Sequence, residues 1–260
     1  MVYWLLLVKS FRRNLQYRMA HIINNFASTI FGFVFIAIWA GVLEGKGNTD
    51  SIYNPSSMAH YIAFTQIMLW ITTFLSPGLG IHLQVRTGAV SLDLMRPVSY
   101  FLFVISQEAG KICYNLLYRT LPIAIVYSAT VGFYFPREPF TYIVALLSIL
   151  LAVYISLLLF FLVGLTSFWT NEISGLHNVL ITLLFGLGGQ FVPIDLFPHW
   201  LSTLALGLPF AGVLYYPTML YLEQVSYGVL GLQAIWSIVL TIVCLVLTGR
   251  ARRRTEIQGG

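Results

Sequence analysis

An all-α polytopic membrane protein is the fold class this sequence predicts, on three observations. Apolar residues make up 58% of the 260 positions and charged residues only 9%, far below the roughly 25% charge of a soluble domain. Mean hydropathy is +0.83. The apolar residues also gather into blocks long enough to cross a bilayer, where about 20 residues of helix span roughly 30 Å of hydrocarbon.

Six blocks meet that requirement, so one transmembrane domain is expected over residues 1–260. The first, 22–43, ends in the turn-rich Glu44-Gly45-Lys46-Gly47-Asn48 stretch, and the second, 59–75, closes at Ser76-Pro77-Gly78. The third, 112–133, is punctuated by Pro136 and Pro139. The fourth, 140–165, carries no charge, and the fifth, 176–192, is rich in Leu and Gly. Residues 193–227 are apolar but broken by prolines, which no straight helix tolerates. They read as a broken outer hairpin and linker before the sixth block, 228–248.

Charge orients these spans. Lys9, Arg12, Arg13 and Arg18 precede the first block, Arg86, Arg96 and Lys111 separate the second from the third, and Arg250, Arg252, Arg253 and Arg254 follow the last. Only Lys46 and Arg137 fall on the other side, and Arg119 lies within the third block. Excess Lys and Arg mark cytoplasmic loops, so both termini are expected in the cytoplasm. The same placement argues against a nucleic-acid partner, despite a net charge of +5. Cys113 and Cys244 both lie inside apolar runs and supply neither a disulfide framework nor zinc-ligand spacing.

Three segments are more than simple spans. In residues 2–18, Trp4, Leu5, Val8, Phe11 and Leu15 recur at helical spacing opposite Lys9, Arg12, Arg13 and Gln16. This pattern predicts an amphipathic helix lying in the membrane interface. The cytoplasmic segment 83–97 carries Leu83, Val85, Val90, Leu92, Leu94 and Met95, more apolar than a solvated loop requires. It packs either on its own bundle or on a cytoplasmic partner. On the outer side, Pro193 and Pro198 break the chain after the fifth block, and a short re-entrant or interfacial helix anchored by Trp200 is expected to follow. That cap reads either as a gate or as a lid, with Gln190 beside Gly188 and Gly189 its most notable polar residue.

No catalytic constellation is present in the sequence. The nearest approach to a phosphate loop is Gly45-Lys46, but Ala40 stands where the leading glycine belongs and Gly47 where Ser or Thr should follow. Energy from nucleotide hydrolysis must therefore come from another polypeptide. Glu108, Lys111, Asn115 and Arg119 share one helical face at the cytoplasmic end of the third block. They form either the polar wall of an inward cavity or a set in which Glu108 caps a helix start and the cations snorkel to phosphate. No metal site is expected.

The order of these motifs resembles the membrane permeases of ABC-2 type exporters. Thr87-Gly88-Ala89-Val90-Ser91-Leu92-Asp93-Leu94-Met95-Arg96-Pro97 is similar to the Gly…Asp-Leu-Leu-Arg-Pro pattern of a compact permease subfamily, with Met95 where Leu is commoner. Phe191-Val192-Pro193-Ile194-Asp195-Leu196-Phe197-Pro198-His199-Trp200-Leu201, followed by Leu208-Pro209-Phe210, is similar to its outer-hairpin signature.

The resemblance implies a six-span permease whose 83–97 segment couples to a separate ATPase. Val85, Gly88, Val90, Leu92, Asp93, Leu94, Arg96 and Pro97 would carry that coupling. It also implies an outer gate at Gly188, Gln190, Phe191, Pro193, Pro198 and Trp200. ATP and Mg would sit on two copies of the ATPase and no cofactor on this chain. A second permease, identical or homologous, would complete the path in a bacterial-type plasma membrane, moving an amphiphilic, peptide-like or drug-like substrate. An ion-coupled carrier should show an internal repeat and paired intramembrane acids, and a lipid-acting enzyme clustered His, Asp or Cys. The sequence has neither pattern. A non-transporting anchor would keep the apolar segment but need no outer break.

Overall fold

The computed structural model describes residues 2–45, 53–170 and 172–258, with side chains at all of these except 17–22 and 255–258. Lys46 and the turn around it lie outside the described residues. Twelve α-helices and no strand occur among the described residues. Four stretches are long and apolar enough to cross a membrane: 23–45, 55–86, 139–168 and 229–254.

Helix α1 (Val2–Asn14) leads through one tight turn into α2 (Arg18–Gly45). One side of it packs on the bundle and the other is open. Trp4 and Leu5 point outward, whereas Leu6 packs on the core and Ser10 is buried. The reason is Gly110, where any side chain would overlap the Leu7 carbonyl and Ser10. A glycine there lets α1 lie directly on a later helix, with Phe11 edge-on to Tyr114 at 6.0 Å.

Helix α3 (Pro55–Thr72) starts with a capping box in which Asn54 and Ser57 satisfy each other's backbone. The sequence ends this span at 75, and α3 ends close by at Thr72; the chain then passes through a kink at Ser76-Pro77-Gly78. It resumes as α4 (Ile81–Arg86) and, after a turn, α5 (Val90–Leu94). The kink is built from three consecutive left-handed residues, Gly78 (φ +50°), Leu79 (φ +50°) and Gly80 (φ +77°). Leu79 costs roughly 1–2 kcal/mol in that conformation, so the surrounding packing must hold it.

The third expected span begins earlier than 112. Helix α6 (Tyr100–Asn115) passes through one π turn, Leu116–Thr120, into α7 (Leu121–Thr130). Glu108 and Lys111 thus lie well inside α6. Helix α8 (Pro139–Leu165) is the centre of the bundle, with Ile155, Leu158, Phe160 and Phe161 fully buried. It packs against the kink, against α11 (Tyr215–Tyr221) and against α12 (Val229–Gln258). The fifth expected span, 176–192, is helical only as α9 (Ser174–Gly186), because Gly188 and the left-handed Gly189 (φ +83°) end it. Within the predicted hairpin, α10 (His199–Gly207) starts directly after Pro198, a residue suited to a helix start. Helix α12 runs well past 248, through the four arginines.

Candidate functional site

The α4–α5 elbow turns at Thr87-Gly88-Ala89, where Gly88 takes φ +73°, a value that favours glycine. Its two faces differ sharply. Val90 is 3% exposed, and Val85 and Leu94 pack with it on the core. Leu92 is 68% exposed, Met95 81% and Leu83 56%. Asp93 pairs with Arg96 at 3.2 Å, and the Arg96 guanidinium lies 5.1 Å from the centre of the Phe103 ring. Tyr100 donates to Gln84 at 3.3 Å. Pro97 is exposed where the chain turns toward α6. The elbow therefore packs on its own bundle with one side and offers an apolar surface with the other.

The helical face of Glu108, Lys111, Asn115 and Arg119 turns inward on the kink. Glu108 Oε1 accepts from the Ser76 N–H at 2.8 Å and lies 3.5 Å from Lys111 Nζ. Lys111 Nζ donates to Ser76 Oγ at 2.8 Å, and Asn115 donates to the Trp70 carbonyl at 2.9 Å. Arg119 stacks over Trp70, 3.8 Å from the ring centre. Its residue is 7% exposed, so it does not snorkel, and Glu108 caps the kink, not the start of its own helix. These four side chains brace the bend between α3 and α4. Neither sequence reading anticipated this, because Ser76 and Trp70 come from a different helix.

The outer residues separate into two groups. Gly188, Gln190 and Pro193 are buried, and Phe191 is half-exposed. Phe191 stacks on Phe35 at 5.4 Å and meets Phe185 at 5.2 Å, while its carbonyl accepts from Trp39 Nε1 at 3.1 Å. Tyr61 donates to the Gly189 carbonyl at 2.6 Å. The break after α9 is thereby joined to α2 and α3. Pro198, just before α10, and Trp200 on it are exposed, Trp200 by 70%, and are not part of that cluster.

Two acids missed by sequence reasoning hold the same outer end. Asp195 accepts from Tyr53 at 2.8 Å and from Tyr215 at 2.5 Å. Glu223 takes φ +58°, unusual for a residue with a side chain. It accepts from the Arg137 and Glu138 N–H groups, both at 3.0 Å, and from Thr141 Oγ1 at 3.1 Å. The turn before α8 is thus latched to the end of α11. A lone acid in an apolar stretch gives no pattern to find, so position alone could not have flagged either residue.

The amide bonds from Glu138 and then Arg137 hold the Glu223 carboxyl below its ordinary value of 4.5. A depressed folded-state pKa gives stability that is complete above the ordinary value and lost as pH falls through the depressed one. Hydrogen exchange at the Arg137 and Glu138 amides should therefore show protection at pH 6 and lose it below pH 4. In Glu223→Gln, protection should be weak at both. Unchanged protection in the variant would remove the latch.

A family model described as ABC-2 family transporter protein matches residues 25–259, which takes in the elbow, the kink and the outer break together. No curated protein sequence matches the chain. With that match running over nearly its whole length, the chain belongs to the ABC-2 family of transporter proteins and is a permease of that type.

Proposed function

We propose that this chain is the permease subunit of an ATP-driven exporter, with its ATPase docked on the α4–α5 elbow. ABC-2 permeases generally work with ABC ATPase partners. The observation that carries the reading is the outward apolar face of Leu83, Leu92 and Met95 on an elbow whose other face is anchored by Val90 and braced by Arg96. A rigid lever with one free apolar side suits transmission of force. The Glu108–Lys111–Ser76 brace would carry that movement from elbow to α3.

Six crossings follow if α6–α7 and α9 join the four long helices, with both termini in the cytoplasm of a bacterial-type cell. Two permeases, identical or homologous, and two ATPases would complete the transporter, with ATP and Mg on the latter. The apolar stripe of α2 at Ile23, Phe26, Ile30, Val34 and Ile38 is exposed and adjoins the Phe35–Phe191 stack, which supports a path and outer gate near the contact between permeases. The substrate would be amphiphilic, peptide-like or drug-like. An ion-coupled carrier is less well supported, because the buried Glu108 is already engaged by Ser76 and Lys111.

Affinity purification from native membranes in mild detergent, with quantitative mass spectrometry, tests this reading. An ATPase retained in equal amount to total permease is the expected result. A chain that purifies without any ATPase would overturn it.

A further inference from the structure

Beside the elbow lies a polar cavity of about 630 Å³. It is bounded by His82 and Arg86 of α4, Phe168 and Trp169 after α8, Glu172, and Arg254 of α12. The charges around it cancel only in part: Glu172 lies within the field of Arg86, while Arg254 adds a second positive charge. Glu172 is turned onto its own backbone, where Oε1 accepts from the Ser174 hydroxyl at 2.5 Å and from the Ser174 and Ile173 N–H groups at 3.0 and 3.1 Å. The Ser174 bonds hold its carboxyl below the ordinary value, so it stays charged but engaged. Arg86 and Arg254 form no ion pair among the described residues. His82 Nδ1 is buried and has no hydrogen-bond partner among them. Two guanidinium groups thus line a polar space large enough for a phosphate with its first waters.

Three features identify the anion. The cavity stands where the apolar run of α12 gives way to Arg250, Arg252, Arg253 and Arg254. Arg254 lies about 9 Å along the helix from Thr248, within reach of lipid phosphates for a long cationic side chain. Trp169 at the rim is 41% exposed and is a residue type that settles at headgroup level. Finally, His82 and Arg86 are one turn apart on α4, and Leu83 is rotated about 100° from His82 and about 60° from Arg86, so the cavity face of α4 borders the apolar face offered for docking.

We propose that this cavity holds the phosphate headgroup of an anionic phospholipid, gripped between Arg86 and Arg254. Such basic pockets between membrane helices on the cytoplasmic side suit anionic headgroups. The bound lipid bridges the elbow to the last turns of α12 and restrains the elbow from outside the bundle. Placement in the inner leaflet rests on the orientation proposed above; the two-arginine grip does not.

The test uses full-length protein, delipidated in mild detergent and exposed to phosphatidylglycerol or phosphatidylcholine, with native mass spectrometry reading bound lipid. Phosphatidylglycerol should be retained over phosphatidylcholine. R86A/R254A should retain it about thirtyfold less well, R86K/R254K should keep part of it, and R252A/R253A, changed outside the cavity, should match the parent. If R86A/R254A does not fold, R254A alone reads part of the same loss. Equal retention by the parent and R86A/R254A, or equal loss in R252A/R253A, would overturn the proposal. Displacement by inorganic phosphate would also overturn it, by making the site one for a free anion. Loss of a co-purifying ATPase from R86A/R254A with lipid retention unchanged would assign the cavity to the ATPase instead. If even the parent retains no ATPase, the exporter reading fails while the lipid measurement still stands.

Discussion

Gly164→Val is expected to leave no folded protein. A side chain at Gly164 would overlap the carbonyl oxygen of Gly78 and come within 2.9 Å of Ile81 Cδ1. Backbone meets backbone here, so no rotamer change relieves the overlap. The kink itself cannot retreat, because Ser76 is held by Glu108 and Lys111, and the Thr72 carbonyl accepts from Ser156 of α8. Leu79 already adopts a left-handed conformation that only this packing maintains. Ordinary overpacking costs about 1–3 kcal/mol; with no flexible atom to move, the cost should exceed about 4 kcal/mol, at the level reserved for broken cores. Gly41→Val is the control, since nothing lies within 4 Å of a Cβ there. Size-exclusion profiles of detergent extracts should show a single peak for Gly41→Val and aggregate or no protein for Gly164→Val. A single peak for Gly164→Val with parental thermal stability would refute this account of the kink.

That kink marks the boundary of what the sequence discloses. Apolar blocks and cation placement make the helical membrane class legible, and the ordered motifs at 87–97 and 191–201 point to the ABC-2 family. Segment ends follow from different physics. Glu108, Lys111, Asn115 and Arg119 read as one helical face, but what that face meets is not written in its spacing. In the structure Ser76, in the link between α3 and α4, supplies the partners of Glu108 and Lys111, and α6 runs through both. The end of α3 falls at Thr72, close to the expected 75, but the sequence does not announce the helical continuation beyond it. Ser-Pro-Gly signals a terminus, but Gly164 on α8 makes room for the chain to turn and continue.

The outer site was legible only in part. Gly188 to Pro193 announce a break, and the break is there, but what the freed backbone bonds to lies on α2 and α3. Trp39, Tyr61 and Phe35 carry no local signal of that role. Pro198 and Trp200 read as members of the same group because they follow closely in sequence, yet the short helix α10 carries them away from it. The elbow shows the opposite case. Its apolar spacing left two readings open; the structure shows packing on its own bundle through Val90 and Leu94, and leaves Leu92 and Met95 exposed on the other side of a two-helix turn around Gly88.

That division yields the second large expected effect. L92D/M95D should abolish ATPase retention while the permease folds as before. Both side chains are largely exposed, so their replacement should change folding by no more than about 0.5 kcal/mol. In the proposed complex each would enter an apolar groove, and a carboxylate there loses its hydration without gaining a partner. Two such residues at the centre of an interface should weaken docking by about 4 kcal/mol, roughly a thousandfold. Substrate-dependent transport should fall in parallel. Val90→Asp provides the contrast, since a charge at that buried position should damage the elbow and lower thermal stability as well. Retained ATPase in L92D/M95D would mean that this face is covered by lipid or by the second permease, and the docking surface would have to be sought elsewhere on the cytoplasmic side.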